Sequence, residues 1–228
     1  SYDRTKTVGD DDESASTFRI GNPSLTYFFT WRTLARQIRL GFGGTVPVAR
    51  LRAEKPGQQI IDLEALTSVV SLLGFRDRWL WAPDSMSVIG HFDYYFRDRS
   101  GFIFGSRVVA APTVRVGDSF NFDADQQISD PEDLALYGQI DLEFAFDTRH
   151  LRTAIRSSYS IDALSDLERD MKDQIALETE FRMRTEAVDI ILSFLLNVDE
   201  PAGFSFDDGK VWSMRIGFAT PTQLALPE

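Results

Sequence analysis

The chain has 228 residues, of which 43% are hydrophobic, with a formal net charge of -11 and no cysteine. This length suits one barrel or one large β-domain, and without cysteine there is neither a disulfide framework nor a thiolate metal site. The negative charge argues against nucleic acid as a partner, because an acidic surface repels a polyanion. No run reaches the roughly 18–20 apolar residues that a membrane helix needs.

The chain begins with a polar segment, residues 1–16, which is expected to form a loop or tail. Apolar and polar residues then alternate over Leu25–Trp31 and again over Leu34–Thr45. This period of two predicts two strands, each with one apolar face. We expect a single β-domain over residues 17–219, followed by a C-terminal tail over residues 220–228.

Residues 52–84 interrupt the alternation. Apolar residues recur there at helical spacing, which predicts a short amphipathic helix over about Gln58–Leu73. Two tryptophans follow just before the next strand. Their position is typical of the aromatic belt at a membrane interface, although they could equally cap a hydrophobic core. The predicted interface aromatics are Trp31, Trp79, Trp81 and Trp212.

Seven further strands are predicted from period-two alternation in the rest of the chain. They cover Val88–Arg97, Phe102–Val109, Gln139–Phe146, Leu151–Tyr159, Asp173–Arg184, Val188–Leu196 and Val211–Phe218. Asp173–Arg184 is rich in helix-forming residues, but its alternation favours a strand. The connections between the nine predicted strands alternate between short and longer, as in transmembrane barrels.

Two folds are consistent with this pattern. In a soluble, lipocalin-like barrel the apolar faces point inward, whereas in an outer-membrane barrel they contact lipid and the polar faces fill the lumen. The chain has only four lysines, the residue that commonly solvates exposed sheets. We therefore expect an all-β, antiparallel, up-and-down transmembrane β-barrel of about eight to ten strands.

Three segments carry a resemblance to known proteins: GNPSLTYFFTW, GFRDRWLWAPDSMS and NVDEPAGFSFDDGKVWSMRIGF. They resemble segments of uncharacterised outer-membrane β-barrel proteins of myxobacterial type. The resemblance implies a barrel and a location in the bacterial outer membrane. It implies no activity and no catalytic residue.

The predicted polar faces carry arginines on some strands and acids on their neighbours. Opposite charges across a strand pair attract, and desolvated arginine–carboxylate pairs do so more strongly. Because a small barrel has a narrow lumen, we expect an ion-pair network that fills it. The predicted network contains Arg39, His91, Asp93, Arg107, Asp141, Glu143, Arg152, Arg156, Arg182, Asp189 and Arg215.

Candidate chemistry is sparse. His91 and Asp93 share a polar face and could orient a base, but membership of the lumen network is the preferred interpretation. No phosphate loop, zinc motif or nucleophile elbow is present in the sequence. Asp118, Asp123 and Asp125 have calcium-like spacing without the glycine and distal glutamate of an EF-hand loop, so a solvated acidic loop is the alternative.

These observations favour a small envelope protein with a structural or interaction role and no catalytic activity. A narrow pore for small solutes and a soluble barrel that binds an apolar ligand are the alternatives. No cofactor is expected, and the expected partners are outer-membrane lipid and lipopolysaccharide. Because the number of predicted strands is odd, one strand edge is left without a partner, and another protein chain at that edge is a further expected partner. The edge at Leu25–Trp31 should pair with the last strand, directly or through one intervening strand. That strand is expected to lie upstream of Ser1, to be formed weakly by Tyr2–Val8, or to come from another chain.

Overall fold

Nine strands form one antiparallel sheet in the computed structural model, and strands adjacent in the chain are adjacent in the sheet. The structure describes residues 2–8, 14–49, 66–116, 133–164, 172–185, 187–199 and 211–220. The nine strands are β3 (Ser24–Arg32), β4 (Arg36–Thr45), β5 (Ser85–Arg97), β6 (Phe102–Arg115), β7 (Leu134–Asp147), β8 (Leu151–Asp162), β9 (Asp173–Arg184), β10 (Asp189–Asn197) and β11 (Trp212–Ala219). The nine predicted strands and their antiparallel meander are confirmed.

The short connections lie at residues 33–35, 98–101, 148–150 and 185–188, which places them all at one end of the sheet, here called the turn end. The longer connections lie at the opposite end, the loop end. This alternation follows from the meander, because every second connection returns to the same end.

β6 continues six residues beyond its predicted end at Val109, to Arg115. The sequence Ala110-Ala111-Pro112 obscures the alternation there, and proline normally avoids central strands. The β5–β6 ladder accommodates it through a gap, since the register passes from Gly90↔Ala110 directly to Ser87↔Thr113. On the other side of β6, Pro112 still lies opposite Leu136 of β7.

The N-terminal segment corrects one expectation. Within the residues predicted to be a loop, Tyr2–Val8 forms a strand, β1, which pairs with β2 (Ser14–Ile20). The two make a separate two-stranded sheet and do not extend the nine-stranded one. The polar composition of Tyr2–Val8 conceals this strand, because a short antiparallel ladder can form through backbone hydrogen bonds alone.

Between β4 and β5, residues 66–72 are helical and Arg78–Leu80 forms a 3-10 turn. The predicted helix over about Gln58–Leu73 is therefore confirmed for its second half. Its first half, residues 58–65, lies outside the described part of the chain. No helix among the described residues is both long and apolar enough to cross a membrane.

The two faces of the nine-stranded sheet differ sharply. One face is apolar and exposed on every strand, as Phe144, Ile155 and Ile216 illustrate. The other, the polar face, buries charged and polar side chains that include Asp93, Glu143 and Glu178. Residues of this face from β5 through β11 line one cavity together, so the sheet curls with its polar face inward.

The curled sheet is open. β3 and β11 are its two edges, and no ladder joins them among the described residues. The direct pairing of Leu25–Trp31 with the last strand is therefore not formed among the described residues, and pairing through an intervening strand stays a prediction.

Candidate functional site: a charged inner face and the segment it encloses

Charged residues lie directly opposite one another across the polar face. Arg39 of β4 is in register with Asp93 of β5, Asp93 with Arg107 of β6, and Arg107 with Asp141 of β7. Two residues further along, Glu143 is in register with Arg156, and Arg156 with Glu178. Alternating signs thus run across the strands in two adjacent rows, as expected for cross-strand pairing.

The second row is the more tightly bonded. Arg156 donates from Nη2 to Glu143 at 2.6 Å and from Nη1 to Glu178 at 2.7 Å. Arg152 donates to the other oxygen of Glu143 at 2.5 Å, and Arg215 of β11 donates to Glu178. Buried carboxylates require such partners, because a charge removed from water without one costs several kcal/mol.

The first row is looser. Arg39 Nε lies 3.3 Å from Asp93 Oδ2, whereas Arg107 lies 4.0 Å from both Asp93 and Asp141. Asp141 instead accepts hydrogen bonds from Ser158 at 2.6 Å and from Gln139 at 2.7 Å. The guanidinium of Arg107 is therefore shared among several carboxylates without a close contact to either of these two.

Residues 66–84, here called the inner segment, lie against the polar face. Arg76 Nη1 is 2.8 Å from Glu178 Oε2, and Asp77 Oδ1 is 3.3 Å from Arg107 Nη2. The backbone N–H of Asp77 donates to Gln139 Oε1 at 2.8 Å. The segment is thereby bonded to β6, β7 and β9 through charged and polar groups.

The same segment also reaches the last two strands. Asn197 of β10 donates to the Ser71 carbonyl at 2.9 Å, and Ser213 of β11 donates to the Leu72 carbonyl at 3.1 Å. These acceptors are carbonyls in the last turn of the helix, where intrahelical partners run out. The Ser71 carbonyl also accepts from the backbone N–H of Gly74 at 2.9 Å, so the sheet adds hydrogen bonds at this helix end.

Trp79 and Trp81 correct the prediction of membrane-interface aromatics. They are only 2% and 4% exposed, so neither can contact lipid. Trp79 packs with Ile89, Val109 and Ala111, and Trp81 packs against the helix. The alternative of a hydrophobic core therefore holds for this pair. Trp31 and Trp212 do lie exposed on the apolar face, where an interface role remains a prediction.

The backbone of the inner segment is bent into conformations that side chains disfavour. Phe75 and Asp77 have φ of 56° and 54°, and Gly74 has φ of 67°. Aspartate tolerates this left-handed region, whereas a bulky residue such as Phe75 pays a conformational cost there. Contacts must hold it in place, and the Arg78 guanidinium lies 4.8 Å from the Phe75 ring centroid.

Burial acts on the charged groups of the inner segment. It raises the pKa of Asp77, and Arg107 opposes that rise by stabilising the carboxylate. Burial also lowers the pKa of Arg78, whose Nη1 donates to the Lys172 carbonyl at 3.1 Å. The inner segment therefore carries ionisable groups in surroundings much less polar than water.

Asn22 anchors the inner segment at the loop end and was not singled out from the sequence. Its side chain donates to the Ala82 carbonyl at 2.7 Å and accepts from the backbone N–H groups of Val48 and Ala49 at 2.9 and 2.8 Å. Its own backbone N–H donates to Leu80. The buried Asn22 thus joins the start of β3, the exit of β4 and the inner segment.

At the turn end the network includes a pair that the sequence did not indicate. Arg184 donates to Asp147 at 2.5 Å. Arg182 lies 3.5 Å from Glu180 of its own strand. Asp189 is fully buried, yet neither carboxylate oxygen has a hydrogen-bond partner among the described residues. Asp189 therefore lies on the polar face as predicted but makes none of the expected hydrogen bonds.

His91 takes part in the network through a long contact of 3.4 Å with Arg107 Nη2, and its ring lies 5.5 Å from that of Phe28. Its predicted neighbour Asp93 bonds to arginine instead, so no base-orienting pair forms. The described residues contain no group of three or more His, Asp or Glu placed to hold a metal ion. The acidic loop with Asp118, Asp123 and Asp125 lies outside the described residues.

A cavity of about 720 Å³ lies between the polar face and the inner segment. Its walls include charged groups of both signs, among them Asp77, Arg107 and Asp141, and Arg156, Glu178 and Arg215. Leu80 and Trp81 form part of its apolar wall. Such a cavity can hold water or a small polar solute, and the ion pairs around it fix its shape.

We compared the chain with protein-family models, curated proteins and solved structures, and found no match in any of the three.

Proposed function

We propose that the chain is a small β-barrel of the bacterial outer membrane with a structural or interaction role in the envelope. The observation that carries the proposal is the inverted burial of the sheet, which exposes apolar side chains and buries charged ones. A soluble protein rarely exposes an apolar patch beyond a few hundred Å², whereas here the exposed apolar face extends across all nine strands. In lipid that face is stabilised and the polar face becomes the lumen.

The length of the strands also favours a location in a membrane. On β7 the exposed apolar positions extend from Leu134 to Phe146. Twelve residue steps of about 3.4 Å span about 40 Å along the strand, or about 30 Å along the membrane normal at a tilt near 40°. This matches the thickness of a bilayer core. Trp31 lies near the turn end of β3 and Trp212 at the loop end of β11, which suits aromatic girdles at both interfaces.

The position of the inner segment favours a structural role for the barrel and argues against an open channel. It occupies part of the lumen and bonds to strands on several sides, so it narrows the space left for solutes. A narrow pore is the second candidate, and the cavity of about 720 Å³ beside the segment favours it. Conductance across planar bilayers separates the two, since the structural role predicts no channel events.

The membrane setting is tested by reconstitution. The full chain, refolded into liposomes, should float with them in a density gradient and resist extraction by carbonate. Phe144→Arg, on the apolar face in mid-strand, should lower the free energy of unfolding by about 2–4 kcal/mol. Leu34→Arg, at the turn end, is the matched control and should cost about 0–1 kcal/mol. A chain that purifies as a stable monomer without detergent would overturn the proposal.

A further inference from the structure

The cavity between the polar face and the inner segment has two parts that differ in their balance of positive and negative side chains. Its upper part, nearer the loop end, contains Asp77 and Asp141 around Arg107. Its lower part contains Glu178 with Arg156 and Arg215. The two parts have different balances of charge, and that difference determines which solute can be held.

The upper part has an excess of negative charge. Three carboxylates surround Arg107, with Asp77 at 3.3 Å and Asp93 and Asp141 at 4.0 Å. Arg39 adds a second cation beside Asp93, so the carboxylates outnumber the guanidinium groups by one. A further cationic donor would therefore be favoured in this part.

The lower part has an excess of positive charge. Glu143 and Glu178 are bonded by four guanidinium groups, which belong to Arg76, Arg152, Arg156 and Arg215. Arg215 lies on an edge strand with its side chain 42% exposed. Glu180 also lines this part of the cavity, and its carboxylate lies 3.5 Å from the guanidinium group of Arg182. Five guanidinium groups therefore surround three carboxylates, so a bound carboxylate would meet a favourable potential there.

The two parts are close enough for one small molecule to span them. Asp141 and Glu143 are separated by two positions on β7, which places their backbones about 7 Å apart along the strand. We infer that the cavity binds a small zwitterion, with its ammonium group toward Asp77 and Asp141 and its carboxylate toward Arg156 and Arg215. The size fits a dipeptide or an ω-amino acid. The inference rests on the proposed function, in which the polar face is the lumen of a folded barrel.

Glycylglycine is a suitable probe, and the full chain folded in detergent is the protein to use. Calorimetric titration should give saturable binding that weakens as sodium chloride is added, because salt screens both charged contacts. Asp141→Asn and Arg215→Gln should each weaken binding by roughly tenfold or more, the loss expected for one charge-assisted hydrogen bond. Asp98→Asn is the control. It removes a carboxylate from the exposed β5–β6 turn that does not line the cavity, and it should leave binding unchanged.

Acetate and methylammonium, which carry one charge each, should bind at least roughly tenfold more weakly than glycylglycine, because each can engage only one part of the cavity. Equal binding of either single ion, or wild-type binding by both cavity variants, would overturn the inference. So would the absence of glycylglycine binding to a chain that inserts into liposomes normally. In that last case the proposed function stands, whereas failure to insert would count against the proposed function itself.

Discussion

Arg76 of the inner segment lies 2.8 Å from Glu178 of β9, on the same carboxylate oxygen that Arg156 reaches at 2.7 Å. Glu178 therefore serves two structures at once, because it belongs to the cross-strand row of the sheet and also holds the segment that the sheet encloses. No alternation in the sequence could indicate this contact, since Arg76 lies outside every predicted strand.

Arg76→Gln should separate these two roles. Glu178 keeps Arg156 and Arg215, so the sheet should remain folded while the inner segment loses its strongest tie to β9. We expect a loss of about 1–3 kcal/mol in the free energy of unfolding, the range for a hydrogen bond to a charged group. Chemical unfolding of the liposome-folded chain measures this. Arg149→Gln, in an exposed turn, is the matched control and should change stability by less than about 0.5 kcal/mol. An equal effect of the two substitutions would show that the Arg76 contact contributes nothing.

The second prediction concerns Gly74, whose φ of 67° suits glycine and whose added Cβ would lie 2.8 Å from the Cβ of Ala176. Gly74→Ala should destabilise the chain by about 1–3 kcal/mol, because it combines backbone strain with overpacking. Adding Ala176→Gly should relieve the contact but leave the strain, so recovery should be partial. Gly90→Ala is the control, since its nearest neighbour would be 3.9 Å away. Full recovery in the double variant would show that backbone strain at residue 74 is negligible.

The third prediction is a pH dependence centred on Asp77. Burial raises its pKa in the folded chain above its ordinary value of 3.8, so the folded state binds more protons than the unfolded state between the two pKa values. Its contribution to stability is therefore fully present below pH 3.8 and is lost as the pH rises through the folded pKa. Relative to Asp77→Asn, which cannot titrate, the wild type should lose stability as the pH rises above 3.8 and through the folded pKa.

Asp98 supplies a control of opposite sign. It lies in the exposed β5–β6 turn, where hydrogen bonds from Ser100 and the Phe102 N–H lower its pKa. Its stabilising contribution is present above pH 3.8 and is lost as the pH falls through the folded pKa. Relative to Asp98→Asn, the wild type should therefore gain stability as the pH rises. Unfolding curves for the three proteins over one pH series test both signs, and parallel curves for Asp77→Asn and wild type would contradict the assignment.

The nine strands are well predicted from the sequence because each has one exposed apolar face and one buried polar face. An alternation with a period of two shows that division directly. The residues of the polar-face network follow from the same pattern. The inner segment was harder to predict, because its tryptophans look the same whether they meet lipid or a core. The contacts of Asn22, Arg76 and Asp77 join segments far apart in the sequence, and a one-dimensional pattern carries no information about which segments meet.

The last prediction concerns the two edge strands of the open sheet. β3 and β11 run in the same direction, because an even number of antiparallel steps separates them. Direct closure would therefore join them in parallel, whereas fully antiparallel closure requires an odd number of inserted strands. In lipid, an edge left open would expose a row of backbone groups at several kcal/mol each. We therefore expect one antiparallel strand from outside the nine-stranded sheet, supplied by another chain or another segment, to pair with β3.

Proline substitution on β3 tests this expectation. Thr33 donates to Arg36 and Pro23 accepts from Val46, so the alternation of the ladder gives odd-numbered residues of β3 to β4 and leaves even-numbered ones facing the edge. Thr30→Pro removes an edge-facing N–H and should cost about 2 kcal/mol or more in the membrane if a strand pairs there. Phe29→Pro removes an N–H that bonds to β4 and should be costly in either case. Near wild-type stability of Thr30→Pro, beside strong destabilisation by Phe29→Pro, would show that the edge of β3 is free and that no additional strand pairs with it.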